Sequence, residues 1–310
     1  MKKKIIPFLK YLILGITLFF LFKTLASNWD KITLEIGQIG KAEQIILAIA
    51  TGVTLLAHTW SGLVWTWIIK EFDQRTDSSG LIPVYLHTNL AKYLPGNVWH
   101  YILRVNAATK ACGSTAVAAV SVILEPLLMA AAALITVLVG GIFVAYNTSI
   151  WVVIAQVFAL AVVLCGIHPW VFNPIVIFLQ RLKIKKNQSG SMSGMVKSVR
   201  RYPLLPLLGE IGFLGLRSIG FILTLYAIGP VDLNQLPLLV GAFSFSWLLG
   251  LVTPGAPGGL GIFEVTAITI LQYTIPEAQI VTATILYRII SIIAESAAAG
   301  LSWLDRYLFA

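Results

Sequence analysis

The stretch LVTPGAPGGLGIFEVTAI, Leu251 to Ile268, lies deep in an apolar chain and is badly suited to spanning a membrane as helix. Pro254 and Pro257 remove backbone donors and stop helix growth. Gly255, Gly258, Gly259 and Gly261 permit positive φ and close backbone approach. Unwound chain at membrane depth survives only against protein or a watery cavity, because hydrocarbon offers no hydrogen bonds. Helix is expected to resume near Leu260 to Ile262, with free N–H groups and a positive dipole end inside the membrane. Glu264 then falls in its first turn. There it either offsets the dipole or serves a site where the helix end meets an anion. The stretch reads as a site rather than a span.

Composition sets the frame. Of 310 residues, 58% are hydrophobic and 11% charged. A soluble domain carries about 25% charged residues. Several apolar runs reach the roughly 18 to 20 residues that cross a bilayer core, so the chain is expected to be an all-α polytopic membrane protein. The net charge of +9 is gathered in MKKK at the start and in the Arg181–Arg201 loop. Such clusters mark the cytoplasmic face, so no nucleic acid is expected as a partner. Cys112 and Cys165 lack metal-ligand spacing, and no metal or cofactor is expected.

Apolar runs predict spans at about 7–25, 45–69, 116–146, 150–168, 202–228 and 280–303. Two broken regions lie between them. One is Gly80–Val105, interrupted by Lys92, Pro95-Gly96 and Arg104; the other runs from Leu236 through the quoted stretch to Tyr273. If each broken region returns to the face it entered from, the chain has about six full spans and two re-entrant hairpins. Lys and Arg then gather inside, from Lys2 to Arg306, leaving Lys23, Lys31 and Lys41 outside. That bias places both termini on the cytoplasmic side of the cytoplasmic membrane. The hairpins enter from opposite faces, the pattern of an inverted-topology repeat within a single domain, 1–310. Its halves are expected at about 45–146 and 202–303, joined by the basic loop 181–201.

Four segments in this order resemble the lysylphosphatidylglycerol synthase/flippase transmembrane-region family: KYLPGNVWHYILR, SVILEPLL, TPGAPGGLGIFE and LYRIISIIAESAAAG. Where that family usually has an arginine after the helix glutamate, this chain has Pro126 after Glu125. The resemblance implies a translocator that moves lipid between leaflets, without the soluble aminoacyl-transferase domain, since the chain ends at Ala310 just after its last span. It implies membrane lipids as partners, anionic phospholipid or a lipid-linked glycan, supplied by a separate lipid-synthesising enzyme. The oligomeric state is left open.

Ionisable residues within apolar segments independently suggest a polar interior. A charge at a helix centre costs roughly 2.5–3.5 kcal/mol, so such residues should face the bundle or an aqueous cavity. Arg288, Arg104 and Lys92 are expected to engage phosphate, with Glu264 and Glu125 meeting cationic headgroup atoms or balancing the arginines. Pro95, Gly96 and Asn97 form the first turn, and His100 follows it. Arg217 is a further site candidate; with Glu210 and Glu295 it also fits interhelical salt bridges. The other histidines read as hydrogen-bonded helix residues, and Trp60, Trp65, Trp67, Trp151, Trp170 and Trp303 as interfacial anchors. No phosphate-binding Gly-Lys-Ser/Thr loop occurs. Transport is therefore expected to be passive or driven by a proton or ion gradient, and, with no established catalytic spacing, the chain is expected not to be an enzyme. An intramembrane enzyme using Glu264 and His100 on a lipid-linked substrate, or a small-solute or ion transporter, are the alternatives.

Overall fold

A computed structural model describes residues 30, 33, 37, 39–72, 78–93, 98–112, 115–142, 149–174, 177, 199, 201–253 and 257–309. The expected span at 7–25, most of the basic loop, and the site candidates Pro95, Gly96, Asn97, Pro254 and Gly255 lie outside them. Long apolar runs give helices α1 (Lys41–Lys70), α4 (Thr115–Ile142), α5 (Ile150–Ile167), α6 (Leu204–Ile228) and α9 (Glu277–Phe309). The broken regions give shorter pieces: α2 (Ser78–Asn89) and α3 (Trp99–Cys112), then α7 (Leu236–Val252) and α8 (Ile262–Leu271). There is no strand among the described residues, and the protein is an all-α polytopic membrane protein.

Six described helices are long and apolar enough to cross a membrane: α1, α4, α5, α6, α9, and α7 with the 3-10 turn before it. The last refines the expected hairpin. At 1.5 Å per residue α7 rises about 26 Å and its return arm α8 only about 15 Å, so the two arms are unequal. The first hairpin is more even, with arms of about 18 and 21 Å.

The two hairpins are mounted alike. Each packs its arms on one another, α2 on α3 and α7 on α8. Helix α3 then packs on α4 as α8 packs on α9. The pairing of α1 with α9 is matched by that of α6 with α4. Between the halves, α1 runs against α6 along most of its length, and the hairpin tips, Leu90–Tyr93 and Pro257–Gly259, meet.

In lipid, helices associate by close packing rather than by escape from water, so small residues mark the crossings. At the α1–α6 crossing Gly209 faces Val64 and Trp67, and Trp60 Nε1 donates to the Gly209 carbonyl at 2.8 Å. At the α4–α7 crossing Gly140 lies against the backbone of Pro237 and Gly241. Aromatic rings fill the middle: Phe221 stacks edge-on with Phe263 and Tyr287, and Phe243 does the same. Helix α5 touches mainly α4 and exposes most of its apolar surface, including Trp151 and Phe158. Trp151, Trp170 and Trp303 are exposed as the anchor reading requires. Trp65 is not: it is fully buried, because the hairpin's Tyr85 and the Arg104 guanidinium pack onto it.

Candidate functional site

Where the two hairpin tips meet, the bundle encloses a cavity with about 1040 Å³ of atom-free space, counted to its mouth. The turn between α7 and α8 builds one wall. Gly258, Gly259 and Gly261 all have positive φ, of 58°, 72° and 84°. This is the left-handed region that costs other residues about 1–2 kcal/mol each. Gly259 also sits so close to α7 that a Cβ there would lie 3.0 Å from the Gly250 Cα. The glycines are therefore needed both for the bend and for backbone-to-backbone approach.

Glu264 caps the helix, the first of the two roles the sequence left open, and also pairs with an arginine. One carboxylate oxygen accepts from the Gly261 N–H at 2.7 Å, capping α8 as Glu43 caps α1 through the Gly40 N–H. The other accepts from Arg288 Nε at 2.5 Å, and Arg288 also donates to the Gly258 carbonyl at 3.1 Å. One ion pair thus ties α9 to the turn and to the start of α8.

The first hairpin carries a counterpart of opposite sense. Arg104 on α3 pairs with Glu125 on α4, both buried, whereas in the second half the acid is on the hairpin and the arginine on the long helix. The Arg104 guanidinium also lies 3.9 Å from the Tyr85 ring centroid, a face that favours cations. Pro126 does not break α4, and Glu125 finds its arginine on α3.

A third cluster lies between these pairs. Glu295 Oε1 accepts from Lys92 Nζ at 2.6 Å and faces His58 Nε2 at 3.0 Å. The same His58 nitrogen is 2.9 Å from an Arg217 terminal nitrogen. Arg217 donates to Ser291 at 3.2 Å and lies 5.0 Å from the Tyr287 ring, whose hydroxyl donates to the Arg217 carbonyl. Its buried Nε has no hydrogen-bond partner, and Arg217 makes no ion pair among the described residues.

The structure brings Lys92, His100, Arg104, Glu125, Arg217, Gly258, Gly259 and Arg288 to the cavity lining, with Glu264 just behind Arg288. His100 is buried there against Tyr101, its Nδ1 without a partner. Gly261 supports the turn as the N–H donor to Glu264. Trp247 lines the cavity, and Trp99 stands exposed away from it. Glu210 does not pair with Arg217: it is wholly buried outside the lining, with neither oxygen hydrogen-bonded.

Sequence reading missed His58 as a site residue and gave Glu295 an interhelical salt bridge, which the structure shows; together the two join the halves of the cavity. The available signal was weak. A histidine in the middle of an apolar helix shows nothing of a partner 159 or 237 residues away.

Four basic side chains line the cavity, Lys92, Arg104, Arg217 and Arg288, against the carboxylates of Glu125, Glu295 and, behind Arg288, Glu264. The arrangement suits a singly charged anion, which would balance the excess cation in a low-dielectric setting. No protein-family model matches the chain, and no curated protein matches it.

Proposed function

We propose that the protein is a lipid translocator, moving a phospholipid or lipid-linked headgroup between leaflets through this cavity without chemistry on the lipid. The observation that carries the reading is the excess basic side chain, Arg217, lining a chamber inside an apolar helical bundle. Arg104 and Arg288 already hold carboxylates, so Arg217, with Lys92 near it, is the natural seat for a phosphate ester. A charge in such a place is costly unless it has work to do or a partner to meet. The resemblance of four motifs to the lysylphosphatidylglycerol synthase/flippase transmembrane family points the same way.

In this reading the two halves form an inverted-topology repeat whose hairpins meet at the site, the design that lets one half rock against the other. The matched helix pairings and the pair of oppositely arranged Arg–Glu bridges support it. The protein would lie in the cytoplasmic membrane with both termini inside, and a separate enzyme would supply its lipid.

The test is leaflet exchange. Purified protein in liposomes carrying a headgroup-labelled phosphatidylglycerol should speed its exchange well above protein-free liposomes, as read by loss of fluorescence to an external quencher. Arg217→Gln should lose most of that exchange. Equal rates with and without protein, over a panel of anionic phospholipids, would overturn the proposal.

A further inference from the structure

The His58 nitrogen stands where two neighbours make incompatible demands. Arg217 can only donate, and an ionised Glu295 can only accept. Both are within hydrogen-bond distance of the same atom, Nε2: the guanidinium at 2.9 Å and the carboxylate at 3.0 Å. An unprotonated Nε2 accepts from Arg217 and leaves Glu295 to Lys92. A protonated Nε2 donates to Glu295 and turns Arg217 loose. The ring cannot serve both at once.

The charged groups around the ring come from three elements: Arg217 on α6, Glu295 on α9 and Lys92 on the 3-10 turn after α2. Of the other titratable side chains on the helices packed against α1, Glu210 on α6 has neither oxygen hydrogen-bonded and Tyr287 on α9 donates to the Arg217 carbonyl. On α2, Tyr85 hydrogen-bonds Ser61, and on α4, Glu125 pairs with Arg104. His58 thus touches both Arg217 and the Lys92–Glu295 pair.

We infer that the cavity takes up a proton together with its anion, His58 Nε2 receiving the proton and Arg217 the phosphate ester. The inference rests on the reading of the cavity as an anion site. An anion in the cavity, drawn to the Arg217 that lines it, pulls the guanidinium from His58. It also offsets the repulsion that an imidazolium beside a guanidinium would suffer. The proton comes from solvent reaching the cavity, one N–H bond forms, and the new donor turns to Glu295. Coupling of this kind is reciprocal: the anion favours the proton as much as the proton favours the anion. A monoanionic headgroup and a proton would then cross as a neutral load.

The sign follows directly. Proton uptake on binding means that affinity rises as pH falls, by up to about tenfold per pH unit for one coupled proton. Binding is compared across about pH 5 to 8. The measurement uses the full chain in nanodiscs of zwitterionic lipid. One probe is dihexanoylphosphatidylglycerol, whose phosphodiester does not titrate in that window; the other is glycerophosphoglycerol, the same headgroup without chains. Binding of both with similar affinity identifies a free phosphate-ester site, and binding of the first alone identifies a lipid site; either supports the inference if the pH slope is present.

Calorimetry of wild-type protein in two buffers of different ionisation heat should show net proton uptake on binding. His58→Gln should bind with an affinity that no longer changes with pH, since glutamine can donate to Glu295 and accept from Arg217 through different atoms. Because the wild-type proton count needs no variant, a misfolded His58→Gln leaves the test intact. Binding without proton uptake, or an unchanged slope in folded His58→Gln, overturns the coupling and leaves the anion site standing. Failure of both probes to bind at any pH overturns the anion site and the coupling with it.

Discussion

At the scale of single residues, the two Arg–Glu bridges ask for different experiments. Arg104 and Glu125 are both buried, and a buried pair of this kind often stabilises no more than apolar residues of similar size. Breaking it is another matter, because the survivor becomes an unpaired buried charge. Glu125→Gln should cost about 3–5 kcal/mol and lower the melting temperature clearly in detergent or nanodiscs. The double variant Arg104→Met with Glu125→Met should recover most of that loss. If the double variant is no better than the single one, the arginine does more than balance the acid. Glu264 is tied into the turn by two hydrogen bonds as well as by charge. Glu264→Gln keeps a cap acceptor but leaves Arg288 without its counter-charge, so exchange should fall more than tenfold with a smaller drop in melting temperature than Glu125→Gln. Near wild-type exchange would reduce Glu264 to a helix cap.

At the scale of elements, glycine decides how closely helices and turns approach. Gly140 and Gly141 are neighbours with opposite prospects. A Cβ at Gly140 would lie 2.5 Å from the Pro237 carbonyl oxygen, whereas one at Gly141 meets nothing within 4 Å. Gly140→Leu should therefore destabilise the α4–α7 crossing strongly, and Gly141→Leu should be tolerated; parallel thermal unfolding of the two compares them directly. The hairpin turn makes the same point with backbone conformation added. Gly258→Leu with Gly259→Leu places two side chains at positive φ, one of them against Gly250. The strain is about 2–4 kcal/mol before any clash, from 1–2 kcal/mol for each residue. The hairpin should splay and exchange should fall while insertion into the membrane is kept, since leucine only adds apolarity. Normal exchange by a folded double variant would show that the bend is filler.

For the whole molecule, the central question is which way each hairpin faces. In a background without Cys112 and Cys165, single cysteines at Leu233 and Tyr273, both exposed beside the second hairpin, should label from outside. Cysteines at Lys110 and Arg201 should label from the cytoplasm, where the basic residues gather. If all four react from one face, the inverted arrangement fails. Most helix ends were legible from apolar length alone: α7 starts and stops at the residues where its apolar run does. How deep the longer arm of the second hairpin reaches was not legible, because an apolar run of 17 residues reads the same whether it stops at mid-depth or crosses.

The sequence by itself determined that this is an all-helical membrane protein, that two regions break, and that charge is retained where lipid would forbid it. These follow from local causes: apolar length, missing donors at proline, positive φ at glycine, and the cost of an ion in hydrocarbon. Only the tertiary structure decided the partners. It gave Arg104 to Glu125 and Arg288 to Glu264, left Glu210 without a partner among the described residues, and set His58 between Arg217 and Glu295. Pairing of charges depends on which faces of distant helices meet, and helical spacing within one segment, such as the seven residues from Glu210 to Arg217, reports only which side chains share a face.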